Sequence, residues 1–164
     1  MFKIRPATAQ DVSDIIRIAE TTWWMTYSPI LPPEQIRYML EAIYNPDTLR
    51  SHIDSGYQEY LMLSDEGISQ AFVSYSPRQD DGHIYKIHKL YVLPDNHKKG
   101  YGRALIDEIK RRLSGINIHL LDLNVNRHNP ARHFYEKVGF KVIREEDVAI
   151  GPYWMNDFVM RLEF

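Results

Sequence analysis

Residues 91–113 read YVLPDNHKKGYGRALIDEIKRRL, and the parsing of this stretch decides the fold. A β-branched and aromatic run stops at Pro94, where proline withdraws a ladder donor and ends the strand. A short loop carrying Lys98, Lys99, Gly100 and Gly102 follows. Beyond it, Leu105, Ile106, Ile109 and Leu113 recur at the spacing of one helical face. The stretch is therefore a strand, a glycine loop and an amphipathic helix. Glycines here serve a tight turn as readily as a ligand site. A helix start also leaves backbone N–H donors unpaired beside a partial positive charge, which suits an anion. Two common phosphate motifs do not fit. The dinucleotide fingerprint needs a third glycine where Leu105 stands, and the P-loop needs a Gly-Lys-Ser/Thr ending that is absent.

Outward from this stretch, the chain divides into regular elements. FKIRPA alternates as an opening strand, and Thr8 with Asp11 three residues on marks a helix start. Val12, Ile15, Ile16, Ala19 and Trp23 then share a helical face, and LPPEQIRYML predicts a second helix with Ile36, Met39, Leu40 and Ile43 inward. Asn45-Pro46 restarts the chain into a short helix ending near Gly56. YQEYLMLS and ISQAFVSYS flank Asp65-Glu66-Gly67, a hairpin signal, and HIYKIHKLYVL adds a third strand. After the glycine-loop helix come the strand IHLLDLNV, a helix opening near Asn129-Pro130, and two closing strands, KVIREEDVAI and WMNDFVMRLEF. The expectation is one domain over residues 1–164 of α+β (mixed α/β) class, with a mostly antiparallel sheet.

Composition excludes several function classes. Content of 44% hydrophobic and 26% charged residues is that of a globular protein, and a net charge of −2 predicts no bulk attraction to nucleic acid or an acidic membrane. The absence of cysteine rules out disulfides, thiolate metal sites and a cysteine nucleophile. The seven histidines form no ligand spacing, so no metal is expected. MFKIRPATAQ holds no apolar core of signal-peptide length and no run approaches a membrane span, which predicts a soluble cytoplasmic protein.

The loop does fit a third pattern. His97-Lys98-Lys99-Gly100-Tyr101-Gly102 resembles the Gln/Arg-x-x-Gly-x-Gly/Ala acetyl-CoA loop of the GNAT superfamily of N-acetyltransferases, with His97 as its departure. LNVNRHNPARHFYEKVGF (residues 123–140) is similar to the family's second cofactor segment. The resemblance covers nearly the whole chain, strongest over residues 89–140. It implies a six- to seven-stranded sheet in which two neighbouring strands splay apart to hold the pantetheine arm of acetyl-CoA. On that basis Leu90, Tyr91, Val92 and Asn124 border the arm, while Lys98, Lys99, Arg103 and the loop backbone hold pyrophosphate. Asn129 bonds the arm or caps the helix at Pro130.

The resemblance makes Tyr135 the acid that protonates the departing thiolate, since a phenol of pKa about 10 remains protonated at neutral pH. Its neighbour Phe134 is expected in the core. An alkyl amine is neutral in only about one part in a thousand at pH 7, so a base is needed. Two-residue alternation places Lys86, His88, Leu90 and Val92 on one strand face, and His88 is the candidate base, with a cross-strand polar role as its alternative. Aromatic residues of the first helices, Trp23 and Tyr27 foremost, serve as core or as a wall for the acceptor. Glu145, Glu146, Asp147 or Asp157 could bind a cation there. The resemblance is greatest to the small-molecule branch that includes polyamine acetyltransferases, and it leans towards a homodimer. An acceptor on a protein N-terminus or lysine, and a non-catalytic acyl-CoA-binding module, are the alternative readings.

Overall fold

The chain opens with β1 (Phe2–Pro6), and a 3₁₀ turn over Ala9–Asp11 leads into α1 (Val12–Tyr27) in a computed structural model that describes residues 1–164. The Thr8 backbone N–H donates to Asp11 Oδ2 at 2.8 Å, and the Arg5 guanidinium grips the same carboxylate at 2.8 and 2.9 Å. The expected helix start is thus also tied to β1. α2 (Pro33–Ile43) begins on its proline, and α3 (Pro46–Ser55) is capped by Asn45 Oδ1, which accepts from the N–H groups of Asp47 and Thr48.

β2 (Glu59–Asp65), β3 (Ile68–Pro77) and β4 (Ile84–Val92) form the anticipated meander. α4 (Tyr101–Ser114), β5 (Leu120–Asn126), α5 (Ala131–Val138), β6 (Lys141–Ile150) and β7 (Tyr153–Glu163) complete a seven-stranded sheet of order β1-β2-β3-β4-β5-β7-β6. Every neighbouring pair is antiparallel except β4 and β5, which the α4 crossover makes parallel.

Two cores sandwich the sheet. On one face Leu105, Ile106, Ile109 and Leu113 of α4 and Tyr135 of α5 pack against Val73, Ile87 and Leu123. On the other, Ile15, Ile18 and Trp23 of α1, Ile36 and Met39 of α2 and Leu49 of α3 cover Met62 and Phe72. The helices thus cover β2–β4 and, at Met155, Val148 and Ile150, the hairpin end of β6 and β7 on the second face, while polar residues occupy much of the rest of β5, β7 and β6 there. Asp122 is fully buried on that strip, held by Arg78 at 2.8 Å and by Arg161 at 2.7 and 3.0 Å. It joins the end of β3, β5 and β7 at one point.

A register shift alters the expected face of β4. Ser74 pairs with Lys89 and Tyr75 with Ile87, so His88 has no partner on β3. This β-bulge breaks the two-residue alternation. Ile87, Leu90 and Val92 consequently meet the α4 core together, whereas Lys89 turns to the other face. The predicted grouping of Lys86, His88, Leu90 and Val92 on one face is therefore corrected.

Lys89 is buried without a carboxylate partner, bonded to Gln58 Oε1 at 3.2 Å and Tyr60 Oη at 3.1 Å and lying over the Tyr44 and Tyr60 rings. Burial lowers its ammonium to about 8. Its folded pKa is below the unfolded value near 10.5, so the unfolded chain binds the extra proton, and stability rises with pH between those values. In urea unfolding, the stability advantage of Lys89→Met over the wild type should shrink by about 2 kcal/mol between pH 7 and pH 10. Asp122→Ala leaves two guanidinium groups facing a void, and the same measurement should show a loss of about 3 kcal/mol.

Candidate active site

β4 and β5 pair over only four registers, from Ile84 with Leu120 to Ile87 with Leu123. Past that point β4 keeps its bonds to β3 through Leu90 and Val92, and β5 keeps its bonds to β7 through Asn124 and Asn126. The two strands therefore part, and their facing edges carry backbone donors and acceptors with no strand to pair with. The gap opens into a cleft of about 380 Å³ running from the start of α4 to α1. Leu90, Tyr91 and Val92 line one side, Leu123, Asn124 and Val125 the other, with Phe134 and Tyr135 of α5 between them.

The mouth of the cleft lies at the glycine loop. Gly100 takes a left-handed φ of 79° immediately before α4, a conformation glycine adopts without steric cost. The first intrahelical bond runs from Ala104 N–H to the Gly100 carbonyl, which leaves the N–H groups of Tyr101, Gly102 and Arg103 without helical acceptors. Lys98, Lys99 and Arg103 are exposed around this point and belong to none of the ion pairs of the chain.

A second cleft, about 260 Å³ and mostly polar, lies on the face beside α3. It shares His88 and Asn124 with the first, so the two meet where the strands part. His88 Nε2 is 2.7 Å from Ser76 Oγ. The ring is solvent-accessible along the clefts but closely walled, and that burial, together with the ammonium groups of Lys86 and Lys89, lowers its pKa to about 4. Asn124 Nδ2 donates to Asp157 Oδ2 at 3.2 Å and to Glu146 Oε1 at 3.5 Å. Carboxylates accept only, so they fix the amide with its oxygen turned away from them. Asp157 itself is buried, its Oδ1 lacks any partner, and burial raises its carboxyl. Burial also raises Tyr135, whose hydroxyl makes no hydrogen bond to the protein.

The model of the acetyltransferase (GNAT) domain matches residues 28–162. The chain belongs to this GNAT acetyltransferase family. It is 26% identical to an uncharacterised N-acetyltransferase of Mycobacterium tuberculosis over 92% of this chain and 96% of the relative. It is 23% identical to a spermidine N(1)-acetyltransferase of Thermoplasma acidophilum, over 99% of this chain and 98% of that one. A crystal structure of the PaiA N-acetyltransferase of the same organism, in complex with coenzyme A, superposes with a TM-score of 0.86, covering 100% of this chain and 99% of the other at 24% identity. The protein is accordingly an N-acetyltransferase of the GNAT family, with acetyl-CoA as co-substrate.

The cleft fits that co-substrate. An extended, amide-rich arm can pair with two open strand edges, and a pyrophosphate suits the free N–H groups and loose cations at α4. Gly102 permits the close approach of the two helices that wall the cleft: a Cβ there would lie 3.1 Å from Phe134 Cζ. Not every predicted residue reaches this space. Tyr101 offers its backbone only, because its ring is buried against Phe2 and its hydroxyl is bonded to Asp65. His97 lines the cleft, yet its Nε2–H donates back to the Val92 carbonyl at 2.8 Å. Asn129 Oδ1 accepts from the Ala131 N–H at 2.9 Å at the start of α5, as a cap would, and its Nδ2 reaches Tyr27 Oη at 3.4 Å on the cleft wall.

One aromatic assignment is settled and one is extended. Trp23 is buried behind Tyr27 and Tyr44 and borders neither cleft, so only Tyr27 stands on the wall. Phe134 packs against the core as expected and also lines the cleft. Glu145 and Asp147 are exposed and face Arg127, whereas Glu146 and Asp157 turn to the site. Thr22, Thr26, Ser76, Arg78 and Arg144 also border the clefts, and no pattern in the sequence marks them. Gly102→Ala should raise the calorimetric Kd for coenzyme A by about five-fold or more, since Phe134 must yield into the cleft. Fold stability should change by less than about 1 kcal/mol, because alanine favours the helix.

Proposed function

We propose that the protein moves an acetyl group from acetyl-CoA directly to a primary amine of a small molecule, with both substrates bound together. The meeting of two clefts at His88 and Asn124 carries this reading, because it offers separate entries for donor and acceptor at one reaction point. The size of the second cleft supports a small acceptor. The spermidine acetyltransferase relative supports an alkyl amine as the group that reacts.

Lys98, Lys99, Arg103 and the α4 amides hold the pyrophosphate, while the edges of β4 and β5 and the Asn129 side chain hold the arm. Backbone donors along the open β4 edge also polarise the acyl carbonyl. As the amine nitrogen bonds the acyl carbon, the carbon–sulfur bond breaks, the nitrogen sheds a proton and the sulfur needs one. Tyr135 supplies the second, since its raised pKa keeps the phenol protonated throughout the working range. His88, neutral at pH 7, does not repel an arriving amine and presents a ring nitrogen to its N–H. With so low a pKa it orients the amine and hands the proton on to solvent without storing it.

Release of free thiol from acetyl-CoA, measured over alkyl amines, amino acids, polyamines, aminoglycosides and short peptides, tests the reading. Reaction with the small amines and not the peptides is expected, and reaction confined to peptides would overturn it. Tyr135→Phe should lower kcat by about ten-fold or more while leaving the Kd for coenzyme A within two-fold, roughly. An unchanged kcat under rate-limiting chemistry would remove Tyr135 from the mechanism.

A further inference from the structure

The second cleft contains charged groups that are unequally matched. Its lining carries three cationic side chains, Arg78, Lys86 and Arg144, against two carboxylates, Asp80 and Glu146. Arg78 is fully engaged, with Asp80 at 2.8 Å through two nitrogens and with buried Asp122 at 2.8 Å. Arg144 meets Glu146 at 3.4 Å, and Glu146 also accepts from Asn124. Lys86 alone has neither an ion pair within 4.0 Å nor a hydrogen bond, although it is partly buried beside Ser76 on the paired half of β4.

A partly buried ammonium without a direct partner is stabilised by a ligand that brings the opposite charge. The carboxylates around it face other partners first: Asp122 holds two arginines, Glu146 meets Arg144 and Asn124, and Asp157 is bonded only by Asn124, with its Oδ1 unpaired and out of ion-pair range of Lys86. An acceptor whose tail carried further ammonium groups would bring like charge close to Lys86, which Glu146, Asp157 and Asp122 offset only from beyond ion-pair distance. Lys86 stands two residues before His88 on β4, and both line this cleft; regular strand spacing over two residues is roughly 6–7 Å, an upper guide across the bulge. A chain of three or four carbons spans that distance.

We propose that the second cleft binds the tail of the acceptor and that Lys86 recognises an anionic group on it. The preferred acceptor is then a primary amine bearing a carboxylate a few bonds from its nitrogen, in preference to a polyamine. The inference rests on the acetyltransferase reading and adds the chemical class of its substrate.

Three acceptors of matched length separate the possibilities: 4-aminobutyrate, n-butylamine and 1,4-diaminobutane, which end in a carboxylate, a methyl group and an ammonium. The kcat/KM of the wild type, from thiol release, should be highest for 4-aminobutyrate and lowest for the diamine. In Lys86→Gln, the ratio of kcat/KM for 4-aminobutyrate to that for n-butylamine should fall about ten-fold, as expected for loss of a charge-assisted contact. Lys86→Glu should bring the diamine above 4-aminobutyrate. Calorimetric binding of coenzyme A to each variant verifies that the donor cleft is intact. A wild type that favours the diamine, a ratio unmoved by either substitution, or no reaction with any of the three by a protein that binds acetyl-CoA would each overturn the assignment. Failure to bind acetyl-CoA at all would instead overturn the underlying reading.

Discussion

Neighbouring strands normally satisfy each other's backbone groups, and β4 and β5 stop doing so after Ile87 and Leu123. Several features make the parting durable. The bulge at His88 lies where the strands part and β4 remains paired to β3 beyond it, while β5 stays paired to β7 over its whole length. At the closed end, Asp122 ties β5 to Arg78 and Arg161, so the strands cannot peel apart further. At the open end, the contact between Gly102 and the Phe134 ring sets how closely α4 and α5 approach over the gap. The donor site is thus a break in the ladder, stabilised at both ends by side chains that take no part in chemistry.

The electrostatics follow from where this break lies. At its centre, burial drives each ionisable group towards its uncharged form: His88 down, Tyr135 and Asp157 up. Exposed cations lie at the rims, with Lys98, Lys99 and Arg103 at one mouth and Arg144 at the other, where Lys86 is partly buried and burial lowers its ammonium. The same desolvation acts on an incoming amine. The lowered ammonium of Lys89, one residue from His88, shows the direction in which such a setting moves an alkyl amine. A centre that favours the neutral amine reduces the work left to any base, which accords with a histidine too weak to hold the proton.

Much of the fold was legible because periodic elements announce themselves. The capped start at Thr8, the Asn45 cap and the hairpin at Asp65-Glu66-Gly67 all depend on local chemistry within four residues. The bulge was not legible. In IYKIHKLYV the adjacent polar residues His88 and Lys89 interrupt the alternation, but only the register against β3 identifies His88 as the extra residue. The choice between core and wall for Trp23, and the cleft face of Phe134, stayed hidden for a related reason. Helical spacing tells which face turns inward, but whether that face meets a core or a cleft depends on the packing of other elements. Contacts such as Arg78 with Asp122 and Asn124 with Asp157 join residues 44 and 33 positions apart, beyond any local pattern.

Donor and acceptor sites therefore differ in how sequence encodes them. The donor cleft uses backbone: free amides at a helix start, open strand edges and two glycines that permit close approach. Such features need a strand–loop–helix order with glycine at fixed positions, and a linear motif records that order directly. The proposed acceptor cleft uses side chains brought together from β3, the β3–β4 connection, β4, β5 and β6, each contributing one to three residues. No spacing rule links Arg78, Lys86, Asn124 and Arg144, since their proximity exists only after the sheet has formed. The charge balance of that cleft is then a property of the fold, and on the proposed acceptor assignment Lys86, which has no ion pair, is where amines are told apart.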